Sequence, residues 1–154
     1  MGSAEELCLR WNDFESILSR SFNEMREDSD FFDVKVACYD DKNDMKTIPA
    51  HKVILSACSP VFKDLLRALQ MEGAGQHENQ LVFLKGISYH EMIAVLDFMY
   101  NGQTKVRQDD LDAFLAAAEE LKVKGLTNSN NSEAPVYVSP MPKKRQQQSP
   151  EASR

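Results

Sequence analysis

The spacing of apolar residues changes from alternating to helical after Pro49, and that change restricts the fold more than any other feature. From Phe32 to Tyr39 (Phe-Asp-Val-Lys-Val-Ala-Cys-Tyr) apolar and polar residues alternate with β-branched side chains, the pattern of a half-buried strand. Asp40-Asp41-Lys42-Asn43-Asp44 is turn chemistry. Met45 to Ile48 then reads as the returning strand of a hairpin, ended by Pro49. Beyond that point the period is helical. His51 to Cys58 is a short apolar helix, and Ser59-Pro60 ends it and starts another, with Ser as N-cap and Pro at the first helical position. Val61, Phe62, Leu65, Leu66 and Leu69 mark one face of that second helix.

Further on, Leu81-Val82-Phe83-Leu84 reads as a short buried strand. Ser88 and Glu91 have capping-box spacing ahead of the stripe Met92, Val95, Leu96 and Met99, and Asn101-Gly102 stops that helix. A last helix is expected from about Asp109 to Leu121, with Leu111, Phe114, Leu115 and Ala118 on one face and Gly125 ending the terminal turn. At the amino end, Leu7 and Leu9 alternate with Cys8 and Arg10 as a short strand. Phe14, Ile17, Leu18, Phe22 and Met25 follow at helical spacing, with Asn12 and Glu15 placed for a capping box. Strands in the first half, helices throughout and helical hairpins in the second half give an α+β fold and not a doubly wound sheet.

Of the 154 residues, 42% are hydrophobic and 27% charged, enough for one core. Residues 1–126 hold 14 Lys and Arg against 22 Asp and Glu, a net of -8; residues 127–154 hold 4 against 2, a net of +2. A domain at -8 repels phosphate backbones, so no direct nucleic acid contact by this domain is expected. No apolar run approaches the ~18 residues a membrane-spanning helix needs, so no membrane partner is expected. From Thr127 the chain is rich in Ser, Asn, Gln and Pro and reads as a disordered linker. The expected organisation is a disordered start or cloning remnant at 1–6, a folded domain at 7–126, and the linker at 127–154.

Chemistry-bearing residues do not converge. Cys8, Cys38 and Cys58 form no CxxC pair, and His51, His77 and His90 have no metal-ligand spacing. Asp109, Asp110 and Asp112 suit a helix N-terminus. There is no Gly-rich phosphate loop. No enzyme, metal or cofactor is expected.

Several segments resemble the BTB/POZ family. Phe32-Asp33-Val34, then Ala50-His51-Lys52-Val53-Ile54-Leu55-Ser56-Ala57-Cys58-Ser59-Pro60-Val61-Phe62, is similar to its signature. Phe98-Met99-Tyr100 with Gly102, and Ala118-Glu119-Glu120-Leu121 with Gly125-Leu126, resemble its later stretches. Leu7-Cys8-Leu9-Arg10-Trp11-Asn12 is similar to the leader of the tramtrack-type group of insect transcription factors. The hairpin turn from Tyr39 to Met45 and the loop from Met71 to Gln80 look longer than is usual in the family.

The resemblance implies a homodimer or larger assembly in a nuclear transcription regulator. Leu7, Leu9, Trp11, Phe14, Ile17, Leu18 and Phe22 would lie at the dimer interface. From the residues alone, either the domain itself or a partner covers this apolar stretch. The resemblance further implies a charged pocket at Asp33, His51 and Lys52, with Asp33 buried and Lys52 its partner. The alternative is a structural cluster in which His51 closes the hairpin-to-helix junction. Implied partners are a second copy, other tramtrack-type BTB proteins, and corepressors. Lys143, Lys144 and Arg145 are a candidate nuclear import signal. DNA-binding modules in relatives lie beyond the linker, so the chain would be a truncated piece or a short isoform. A second reading is a substrate adaptor for a cullin-type ubiquitin ligase. Such adaptors resemble one another in an apolar-x-Glu motif after the paired helices and in extra helices after the domain; here Gln70-Met71-Glu72 puts Gln at the apolar position and an expected disordered tail follows, and both weigh against that reading.

Overall fold

Three strands and five α-helices make up the computed structural model, which describes residues 3–71 and 80–126. The sheet is built around β1 (Val34–Tyr39). It pairs antiparallel with β2 (Met45–Ala50) and parallel with β3 (Gln80–Phe83), giving the order β2-β1-β3. The alternation read from the sequence decides the register. Val34, Val36 and Cys38 turn inward and are fully buried, together with Ile48 and Ala50 across the hairpin and Val82 on β3. The hairpin turn is closed by the Asp40 carboxylate, whose Oδ1 accepts from the amides of Lys42 and Asp44 at 2.9 and 2.8 Å.

Pro49 does not end β2. It lies within the strand, opposite Lys35. A proline has no N–H to give a ladder, and β2 is an edge strand, where that loss is tolerated. The third strand also differs from the reading. Only Val82 is buried, while Leu81 and Phe83 face outward, because β3 is the other edge and its outer face carries no helix among the described residues.

Helices α2 (Lys52–Cys58) and α3 (Pro60–Met71) form a hairpin, as do α4 (Tyr89–Asn101) and α5 (Leu111–Glu120). The junction of the first pair follows the sequence. Ser59 Oγ accepts from the Phe62 amide at 3.0 Å and donates to the Leu121 carbonyl at 2.6 Å. The second pair begins with a complete capping box, Glu91 N–H to Ser88 Oγ and Ser88 N–H to Glu91 Oε1. It turns at Gly102, whose φ of +80° is open to glycine at little cost. Met92, Val95, Leu96, Met99 and Tyr100 carry α4 into the core against the sheet. The last helix opens with a 3-10 turn at Gln108–Asp110, and its buried face is Phe114, Ala117 and Ala118. Leu115, expected on that face, points outward.

Two expectations at the amino end are corrected. Leu7 to Arg10 form no strand, and none of the described strands pairs with them. Helix α1 (Phe14–Glu27) is capped at Asp13, one residue later than Asn12, and neither Asn12 nor Asp13 makes a side-chain cap bond there. The expected linker at 127–154 lies outside the described residues.

Candidate functional site

Helix α1 is amphipathic, yet none of its residues is buried. Phe22 packs partly on the core and Ile17 is half-buried. The remainder of the apolar face is open: Leu7 is 80% exposed, Leu9 89%, Trp11 55%, Phe14 45% and Leu18 37%. Trp11 and Phe14 meet edge to face with ring centroids 5.2 Å apart, so the Trp11 ring extends the apolar stripe past the start of α1. Single exposed apolar residues are ordinary on a protein surface; five between residues 7 and 18 are a cluster of the kind that marks interaction sites.

Polar contacts hold α1 to the body of the domain. Arg26 donates from Nη1 to Asp97 Oδ1 at 2.9 Å, and its guanidinium lies 5.1 Å from the centroid of the Tyr100 ring. Ser19 Oγ donates to the Tyr100 carbonyl at 3.3 Å. All three contacts, made by the two side chains Arg26 and Ser19, reach α4, so the helix is seated on it while its apolar stripe stays outward. The sequence reading missed Arg26 and Asp97, and it named Tyr100 without its contacts. The partners in the ion pair are 71 residues apart, and neither belongs to a local motif.

Asp33, His51 and Lys52 are adjacent, but in a different arrangement from the one expected. Asp33 is exposed, not buried, and its Oδ1 accepts from the backbone amide of Lys52 at 2.8 Å. The Lys52 ammonium is not its ion-pair partner. The carboxylate therefore supplies the cap that the side chain of His51, at the N-cap position of α2, does not give. His51 itself is buried. Its backbone N–H donates to Tyr100 Oη at 3.0 Å, its Nδ1 lies 2.7 Å from the same oxygen, and its Nε2 lies 2.8 Å from the Asp30 carbonyl. With the ring proton on Nε2, the Tyr100 O–H donates to Nδ1 and Nε2–H donates to Asp30, so every group is satisfied. Burial pushes the Tyr100 phenol up to about 12, against hydrogen bonding from His51.

Reactive chemistry is poorly served by this arrangement. Burial raises the Cys38 thiol to about 11, helped by the charge of Glu91, and burial also raises Cys58. A thiol held protonated is a poor nucleophile. Over the hairpin turn, a cleft of about 330 Å³ is lined by Asp40, Asp41, Lys42, Asp44, Lys46, Tyr89 and His90. The Asp44 amide, with lesser help from Lys42 and Lys46, holds the Asp40 carboxyl below its ordinary range, so it is an ionised turn-former. Among the described residues no group of three His, Cys, Asp or Glu side chains could hold a metal ion, and no helix is long and apolar enough to cross a membrane.

The BTB/POZ domain family matches residues 22–135. The Longitudinals lacking protein-like of Drosophila melanogaster is 42% identical over 132 residues, covering 86% of this chain and 95% of that protein. Two longer Drosophila melanogaster relatives share the same region. The Broad-complex core protein isoforms 1/2/3/4/5 are 35% identical over 82% of this chain, and the Sex determination protein fruitless is 39% identical over 82%. The chain spans only 16% and 12% of their respective lengths. The BTB domain of zebrafish PATZ1 superposes with a TM-score of 0.63 over 77% of this chain and 89% of its own, at 22% identity, which shows the shared fold. With an outward apolar stripe on a polar-anchored helix, the chain is a protein-interaction module, and it belongs to the BTB/POZ family with relatives in the tramtrack-type group.

Proposed function

We propose that the chain self-associates through Leu7, Leu9, Trp11, Phe14, Ile17, Leu18 and Phe22, as the oligomerisation module of a nuclear transcription regulator. The observation that carries this reading is the exposed stripe on α1 and its leader. A helix that makes three polar contacts to α4 and still leaves its apolar face open is built to be covered by something else. A two-fold pairing of the stripe with its own copy is the simplest cover. Residues 7–126 are the module and 127–154 the tether. Self-association raises the effective concentration of whatever DNA-binding modules are joined to it. Other tramtrack-type BTB proteins and corepressors are further partners, with the surface around Asp33, His51 and Lys52 as a candidate contact. Lys143, Lys144 and Arg145, which lie outside the described residues, are the proposed nuclear import signal.

Light scattering on the full chain tests the reading. Phe14→Glu with Leu18→Glu is expected to abolish the assembly and leave single subunits or aggregate. Retention of the wild-type mass would show that the stripe is not the interface.

A further inference from the structure

The outer face of the sheet is a second open apolar surface, apart from α1. Leu81 and Phe83 of β3 are 61% and 44% exposed, and the exposed Tyr39 ring meets Phe83 edge to face at 5.7 Å. Among the described residues no strand pairs with the edge beside them. The amides of Gln80 and Leu84 donate to the Asp33 and Ala37 carbonyls, so the even-numbered residues of β3 bond to β1. By alternation, the N–H and C=O groups of Leu81 and Phe83 point to the free edge. β2 protects its own edge with Pro49, and β3 carries no such device.

The chain itself holds a segment that fits this edge. Between 127 and 154 the one run of strand-forming residues is Val136-Tyr137-Val138, set between Pro135 and Pro140. Laid parallel to β3 with Val136 opposite Leu81, the run puts Val138 opposite Phe83, and both valines join the apolar outer face. The ladder then asks four groups of the segment: the C=O of Pro135, both backbone groups of Tyr137, and the N–H of Ser139. The sequence supplies all four, and its two prolines stand where no N–H is required.

Length, charge and topology favour this occupant and this direction. Gln80 is tied to Asp33, Asp33 to Lys52 at the start of α2, and Cys58 at the end of α2 to Lys124, by hydrogen bonds of 3.4, 2.8 and 2.9 Å. Because α2 rises only ~1.5 Å per residue, these links hold the amides of Gln80 and Lys124 within about 30 Å of each other. The chain from Lys124 to Val136 reaches about 40 Å when extended. Past Val138, the parallel direction carries Lys143, Lys144 and Arg145 toward the hairpin turn, where residues 40–44 hold three Asp against one Lys. The antiparallel direction carries them away from it. A strand added to β3 also continues the order β2-β1-β3 in the same direction. The crossover through α4 and α5 then lies on the same side of the sheet as that through α2 and α3, so both have the same hand.

A separate polypeptide gains little here. The open parts of Leu81 and Phe83 amount to on the order of 200 Å², whereas a stable pair of proteins needs about 800 Å² per partner. A segment on a short tether meets the edge at an effective concentration in the millimolar range, so even a weak contact is filled. We infer that residues 135–139 dock on the free edge of β3 of their own chain as a parallel strand, with Lys143, Lys144 and Arg145 held at the acidic hairpin turn.

Amide hydrogen exchange on the full chain tests this. Exchange is expected to be slowed about tenfold or more at Leu81, Phe83, Tyr137 and Ser139, with Val136 and Val138 left fast. Tyr137→Pro removes a required N–H at a position outside residues 7–126, and it is expected to release Leu81 and Phe83 while β1 stays protected. Isotope-labelled wild-type chain in a large excess of unlabelled Tyr137→Pro chain is expected to keep its protection. Lys143→Glu with Lys144→Glu is expected to cut the protection about threefold at low salt. Fast exchange at Leu81 and Phe83 in the wild type overturns the inference. Protection that survives Tyr137→Pro overturns it as well, because something else then covers the edge. Protection lost in the mixture assigns the strand to another copy's tail and overturns docking on the same chain. Protection untouched by the charge reversal overturns the parallel direction.

Discussion

The Tyr100 hydroxyl meets His51 twice, accepting the backbone N–H at 3.0 Å and lying 2.7 Å from Nδ1 of the ring. One phenol from α4 therefore fixes the residue at which the hairpin becomes α2. Through the far nitrogen of that ring it also fixes the Asp30 carbonyl in the loop after α1. Three segments that are distant in sequence converge on this oxygen and this ring.

Tyr100→Phe removes the hydroxyl and little else. It leaves a buried N–H and a buried ring nitrogen without partners, at a cost of about 1–3 kcal/mol. Urea unfolding is expected to show a lower midpoint with an unchanged slope. A loss below a few tenths of a kcal/mol would mean that water replaces the phenol.

The ion pair between Arg26 and Asp97 predicts a coupling. The Arg26 side chain is 15% exposed and the Asp97 side chain 41%, so solvent screens the pair only in part. A double-mutant cycle with Arg26→Met and Asp97→Asn is expected to give a coupling energy of about 1 kcal/mol. The Arg26 variant should lose more than the Asp97 variant, because it also gives up the stacking on Tyr100. Equal losses would show that the stacking contributes nothing.

Alkaline pH should weaken the fold in a defined window. The Cys38 thiol rises from 9.0 to about 11 and the Tyr100 phenol from 10.0 to about 12 on folding. Each group in the unfolded chain gives up its proton first, so the folded state holds more protons and stability falls as pH rises. The loss begins near pH 9 for Cys38 and near 10 for Tyr100, and it levels off above about 11 and 12 respectively. Unfolding measured from pH 8 upward checks the slope, and Cys38→Ala should reduce its first part, to which the raised Cys58 thiol also contributes. A thiol reagent at pH 8 should modify the exposed Cys8 rapidly and Cys38 and Cys58 slowly.

Local devices were legible in the sequence because their partners are neighbours. Ser88 with Glu91, Ser59 ahead of Pro60, and the Asn101-Gly102 stop each depend on residues within three positions. The α+β class followed from the change of period at the hairpin. Asn12 and Glu15 have the same spacing as Ser88 and Glu91, yet the helix begins one residue later. Spacing alone does not say which of Asn12 and Asp13 takes the helix end. Leu7 and Leu9 have the pattern of a strand, and a strand exists only with something to pair with. Leu115 shares the helical phase of Phe114 and Ala118, and only the packing of Ala117 reveals which way the helix is rolled. Asp33 satisfies a backbone amide and not an ammonium, and Arg26 finds Asp97 across the fold. Both are tertiary choices that charge patterning does not encode.

Ser59 grips the Leu121 carbonyl, and the Lys124 amide donates to the Cys58 carbonyl, so the closing turn of the domain is buttoned onto the bend between α2 and α3. Whatever polypeptide is joined after Leu126 is leashed at that bend and not at a loose tail. The place and direction in which that polypeptide leaves the domain are thus fixed from the middle of the chain, by the Ser59 hydroxyl and the Cys58 carbonyl.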